Sequence, residues 1–159
     1  MFNPNPKLVL TNQFGEESIN YVNPGSEIPA SFKSVPVVLT AAQVIALNAT
    51  PIDIVPAIPG KIIQVAAVVL NLTFGSAAFT VGSSKVIQAK YKTSGQLIAA
   101  VPDTGLLTAV ADAESVAFAN GAGGLAVRGK AIQLTSDDTT IAVGTGCTLT
   151  ATVYYNVIG

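Results

Sequence analysis

The residues able to do chemistry are few, and their spacing is uninformative. Asp112 and Glu114 stand two apart, so on a strand they share one face, where paired carboxylates serve acid/base work or hold a metal. Ser and Thr flank the Asp137-Asp138 pair, which is ordinary turn chemistry between strands. Neither pair has calcium-loop spacing, and a solvated loop accounts for both. The single Cys147 lies in Gly144-Thr145-Gly146-Cys147-Thr148, with no adjacent His or Lys to activate it. It reads as a small buried hydrophobe. Gly121-Ala122-Gly123-Gly124 lacks the Lys-Ser/Thr and the following helix of a phosphate loop. The chain contains no His. A hydrolase built here would rely on carboxylates alone, so the expectation is a protein that is not an enzyme and uses no cofactor and no metal.

The positive charges are equally sparse. Arg128 is the only arginine and neighbours Lys130 in a strand-like stretch; its fork suits an inter-subunit ion pair, or it is a plain exposed position. Lys85, Lys90 and Lys92 form a mild cluster that would meet an acidic partner or guard a strand edge. Formal net charge is -1, so no electrostatic footprint for nucleic acid exists. Half the chain is hydrophobic and 11% is charged. Little self-repulsion opposes association, and a surface with so few charges is expected to be covered by partners.

With 159 residues, one domain with a real core is expected. Residues 1–36 hold Pro4, Pro6, Pro24, Pro29 and Pro36 among scattered apolar side chains. They predict an extended N-terminal arm without its own core, in which Phe2, Leu8, Leu10, Phe14 and Tyr21 anchor to another surface. The start resembles no signal peptide, and the run Val65–Leu70 is too short to cross a bilayer. No membrane partner is expected, and synthesis in a cytoplasm without export is.

Residues 37–159 predict an all-β domain with one short helix. Thr40-Ala41-Ala42-Gln43 is a capping box, with Leu39 and Val44 placed for a hydrophobic staple. The helix should run through about Leu47 and stop at Asn48 before Pro51. Strands are expected at 51–55, 61–74, 85–91, 115–119, 125–134 (with a bulge at Gly129) and 148–157. In the second, Ile62, Ala66, Val68, Leu70, Leu72 and Phe74 should share a face. The last strand sets Leu149, Ala151, Val153, Tyr155 and Val157 against Thr148, Thr150, Thr152, Tyr154 and Asn156, a strict period of two. Pro59-Gly60, Gly75-Ser76, Gly82-Ser83, Ser94-Gly95 and Gly121–Gly124 mark turns. Short strands with Gly-rich turns predict a β-sandwich, with the jelly roll as its expected form.

The stretch Val38-Leu39-Thr40-Ala41-Ala42-Gln43-Val44-Ile45-Ala46-Leu47-Asn48-Ala49-Thr50-Pro51-Ile52, continuing through Asp53-Ile54-Val55-Pro56-Ala57-Ile58-Pro59-Gly60-Lys61, resembles a segment of small structural proteins of tailed bacteriophages. Leu70-Asn71-Leu72-Thr73-Phe74-Gly75-Ser76-Ala77-Ala78-Phe79 extends the resemblance, which covers residues 38–79. Where a further Gly would follow Pro59-Gly60, Lys61 stands instead. The resemblance implies a capsid decoration, or cement, protein: a homotrimer on the outside of the virion, with the major capsid protein as partner. It carries no active-site residues across. The alternative is a head-fibre or tail module that recognises a host glycan, a role to which four Tyr and no Trp contribute little stacking surface.

Overall fold

The computed structural model describes residues 7–11, 17–21, 32–119 and 127–159. Two compact units divide the chain, Met1–Ser31 and Phe32–Gly159. In the first, β1 (Lys7–Thr11) and β2 (Glu17–Tyr21) pair antiparallel, Lys7 opposite Tyr21 and Thr11 opposite Glu17. So the segment expected to be a plain extended arm contains a strand pair.

The second unit opens with β3 (Lys33–Thr40), followed by the helix α1 (Ala41–Ile45), β4 (Ile52–Val55), β5 (Ile62–Thr73), β6 (Phe79–Thr80), β7 (Val86–Tyr91) and β8 (Leu97–Pro102). Then come β9 (Ala113–Phe118), β10 (Ile132–Ser136), β11 (Ala142–Val143) and β12 (Thr148–Ile158). The boundary expected at Pro36 falls inside β3, where Pro36 stands opposite Thr152 of β12. An edge strand has a row of N–H positions without a ladder partner, so a residue lacking that N–H is tolerated there. Pro36 therefore lies in an edge strand of the sheet.

Two four-stranded antiparallel sheets make the body, in the orders β3-β12-β5-β9 and β4-β10-β7-β8. Ranked along the chain, the eight strands pair first with last, second with seventh, third with sixth and fourth with fifth. That nesting is an antiparallel ribbon wound up on itself, the jelly roll expected from the sequence. A short ribbon of β6 and β11 lies beside it in the chain order.

The sheets pack on one apolar core. Strand β12 supplies Leu149, Ala151, Val153 and Tyr155, all buried, as its period of two requires. Ile63, Val65, Val68, Leu70 and Leu72 come from β5, and Ile87, Ala89 and Tyr91 from β7. Each fully buried Leu or Ile contributes about 1.5–3 kcal/mol of transfer free energy. The α1 cap forms as its residues dictate. Thr40 Oγ1 accepts from the Gln43 N–H, and Gln43 Oε1 accepts from the Thr40 N–H at 2.9 Å. Leu39 and Val44 are both fully buried. The helix ends at Ile45, two residues before the expected end, because Leu47 N–H turns to the Val44 carbonyl in a tighter final turn.

Bulges break the expected alternation. On β5, Tyr154 opposes Ala67 but Tyr155 opposes Val65, so Ala66 is the extra residue. It inverts the phase: Ile63 and Val65 point into the core with Val68, and Ile62 and Ala66 do not share the face of Leu70. Ile54 on β4 and Ile98 on β8 are likewise skipped in their ladders. Among the described residues of the strand expected over 125–134, the strand begins at Ile132. Gly129 precedes it at φ +68°, donating to the Lys61 carbonyl at 2.7 Å.

Candidate functional site

Of the expected contact residues, Arg128 is the one whose side chain is described. Phe2 and Phe14 lie outside the described residues. Leu8 and Leu10 fall in β1 and Tyr21 in β2, their side chains outside what is described. Arg128 is exposed, forms an isolated bridge with Ile62, and its guanidinium donates to the Gly60 carbonyl. That intrachain contact engages one nitrogen of the guanidinium, Nη1.

The carboxylates flagged in the sequence behave as structural groups. Asp112 Oδ1 accepts the Phe74 N–H at 2.8 Å. Glu114 stands on β9 opposite Asn71. The two line an open depression of about 290 Å³ with Asn71, Leu72, Thr73 and Ala113. Asp137 Oδ1 accepts the Val86 N–H at 2.7 Å. Lys92 pairs with Asp53 at 2.6 Å, in an exposed bridge of little energetic weight. Cys147 is buried, as expected; its thiol accepts from the Gly75 N–H and donates to the Ala77 carbonyl, each at 3.3 Å.

One pair escaped the sequence reading. Asp103, after β8, and Asp138, after β10, are 0% and 1% exposed. Asp138 Oδ2 accepts the Gly82 N–H at 2.6 Å, and its Oδ1 accepts the Thr140 N–H at 2.7 Å and hydroxyl at 2.6 Å. Burial pushes the Asp138 carboxyl upward, but the Thr140 hydroxyl, the Gly82 and Thr140 N–H groups and the Asp103 carboxyl outweigh it and hold it below its ordinary value. Burial raises the Asp103 carboxyl, Thr104 opposes this, and the Asp138 charge and hydrogen bond add to the rise. Asp103 Oδ2 is buried without a hydrogen-bond partner, while its Oδ1 accepts from the Thr104 hydroxyl at 3.3 Å. The Asp138 carboxylate thus ties the loop before β7 to the loop after β10. Among the described residues, no three acidic or Cys side chains gather as a metal would need.

Four exposed apolar side chains, Val38, Val116, Phe118 and Tyr154, fall on the outward face of the β3-β12-β5-β9 sheet. Register places Val38, Thr150, Asn71 and Glu114 in one cross-strand row. Pro36, Thr152, Val69 and Val116 form the next, then Ser34, Tyr154, Ala67 and Phe118. Phe118 is 74% exposed, Val38 61%, Val116 46% and Tyr154 40%. Glu114 is the one charged residue in these rows. The other sheet differs, its outward row running Asp53, Gln133, Lys90 and Leu97. No sequence signal marks this face strand by strand, because each strand contributes only three of its side chains. Comparison with protein-family models, curated proteins and solved structures finds no match to this chain.

Proposed function

We propose that this chain is a structural virion protein: a decoration, or cement, protein that coats the outside of a bacteriophage capsid as a homotrimer and stabilises it. The observation that carries this is the outward face of one sheet, where exposed Val38, Val116, Phe118 and Tyr154 stand with a single charged residue, Glu114. A surface of that kind works by contact. The resemblance over residues 38–79 points the same way, and that stretch supplies the end of β3, α1, β4, β5 and the start of β6. The major capsid protein is the partner, reached through the N-terminal segment with Phe2, Leu8, Leu10, Phe14 and Tyr21 as anchors. No nucleic acid, membrane, cofactor or catalytic step enters the role. Each copy contributes modest contact, and repetition over a lattice makes occupancy durable.

Removal of residues 1–31 tests this. The truncated protein should remain folded and should leave purified heads largely bare in a co-sedimentation assay. Full occupancy by the truncated protein would remove the arm from the capsid contact.

A second reading, a head-fibre or tail module for a host glycan, has one observation in its favour. Tyr154 and Phe118 flank the small Ala67 in one row, two exposed rings on a flat floor. Glycan-array binding abolished by Phe118→Ala, with no binding to heads, would select it.

A further inference from the structure

The exposed charges of the second unit sort by end. The Tyr91 hydroxyl reaches the Ile63 carbonyl at 2.6 Å, so the end of β7 and the start of β5 share one end of the sandwich. Lys61 directly precedes β5, Lys90 and Lys92 flank the last residue of β7, and Lys130 leads into β10, whose Ile132 stands opposite Tyr91. Arg128 bridges to Ile62, and the Gly129 N–H donates to the Lys61 carbonyl at 2.7 Å. Five basic side chains thus gather at this end, and among the described residues Asp53, paired with Lys92, is the one carboxylate there. The other end reverses the sign. The end of β5 and the start of β7 lie there with the exposed carboxylates of Asp112, Glu114 and Asp137. Lys85, close to Lys90 and Lys92 in sequence, stands at that acidic end, its carbonyl accepting the Asp103 N–H at 3.1 Å.

We infer that the basic end is a docking surface for an acidic protein segment, one that presents carboxylates from a partner chain. Charge complementarity identifies the partner, and the shape of the end admits it. Lys92, Thr93 and Lys130 line an open depression of about 310 Å³, to which Pro56 and Ala57 add apolar wall. A carboxylate side chain fits such a place: the lysines attract its charge, and Pro56 and Ala57 meet its methylenes. The field of the two ends adds orientation, because an acidic surface is drawn to the basic end and repelled by the other. A nucleic-acid backbone fits less well. It presents an extended line of phosphates, and here the positive charge stops at one end of a chain whose net charge is -1. The inference goes beyond the decoration reading and does not rest on it, since charge alone identifies the partner.

The test is binding of a fluorescein-labelled oligoglutamate peptide to the full chain, read by fluorescence anisotropy. Wild-type protein should bind the peptide at low ionic strength. Affinity should fall several-fold toward physiological salt, as the screening length contracts from about 30 Å to about 8 Å. A paired Lys92→Ala/Lys130→Ala change should weaken binding about tenfold, each exposed charge counting for roughly threefold at contact distance in water. Asp53→Asn should tighten binding by about threefold, a gain that no unfolded variant can produce. Glu114→Gln, at the other end, should leave it within about twofold of wild type. A wild-type chain that ignores the peptide would overturn the inference. So would an Asp53→Asn variant that binds no tighter, or a paired lysine variant that binds like wild type. Inorganic phosphate that displaces the peptide, where chloride at the same ionic strength does not, would replace the docking surface by a small-anion site. Tighter binding to duplex DNA, or to vesicles of phosphatidylserine and phosphatidylcholine, than to the peptide would overturn a protein partner.

Discussion

At the scale of single residues, the two buried aspartates carry the clearest pH dependence. The Asp103 carboxyl is raised above its ordinary value by burial and by Asp138. A raised acid stabilises the fold when protonated; that contribution is complete below the unfolded value and is lost as pH rises through the folded one. The Asp138 carboxyl is lowered, so its contribution is present above the ordinary value and disappears as pH falls through the folded one. Asp103→Asn should therefore raise Tm at pH 8 by roughly 2–4 °C, the equivalent of about 1 kcal/mol in a domain of this size. The advantage should shrink as pH falls toward the ordinary carboxylate range, where wild-type Asp103 takes its proton. Thermal melts of both proteins across pH check this, and a constant difference would refute a titrating Asp103. Tyr91 offers a contrast, since burial raises its hydroxyl above the ordinary tyrosine value, far from the carboxylate range. Its buried hydroxyl donates to the Ile63 carbonyl at 2.6 Å. Tyr91→Phe should cost about 1–2 kcal/mol in urea unfolding, because the carbonyl of a core strand loses its donor.

At the scale of elements, local chemistry decides some features and pairing decides others. The Thr40–Gln43 capping box was legible because every group in it lies within four residues. Thr40→Ala should cost about 1 kcal/mol of stability, measured by chemical denaturation, while circular dichroism stays that of a β protein. Strand β12 was legible for the same reason: its alternation runs unbroken from Thr148 to Tyr155. Strand β8 was not among the expected strands. Its skipped residue, Ile98, leaves Ile98 and Ala99 both buried and so destroys the period of two. The bulge at Ala66 hides in the same way. A run of Val, Ala and Ile satisfies either phase, and only the partner strand selects one.

At the scale of the whole molecule, the division of the chain falls at Ser31/Phe32. Two truncations separate that boundary from the one expected at Pro36. Removing residues 1–31 should leave a cooperative thermal transition near that of the full chain. Removing 1–36 takes Lys33–Pro36 out of β3, baring half of the ladder that β12 makes with it. The longer truncation should melt several degrees lower, as expected when part of an edge strand is lost from a small domain. Equal melting of the two would move the boundary back.

The sequence by itself determined the class of fold, because composition, turn residues and the period of β12 are local properties that survive any arrangement of strands. It also determined the cap of α1, set by near neighbours along the chain. Only the tertiary structure decided the nested order of strands, the phase of β5 around Ala66 and the place of Pro36, since each depends on a partner strand far away in sequence. The same holds for the candidate sites. Asp103 and Asp138 are 35 positions apart and meet only because β8 and β10 end at neighbouring loops. The apolar face exists only when four strands lie side by side, so side chains that look scattered along the chain become one surface.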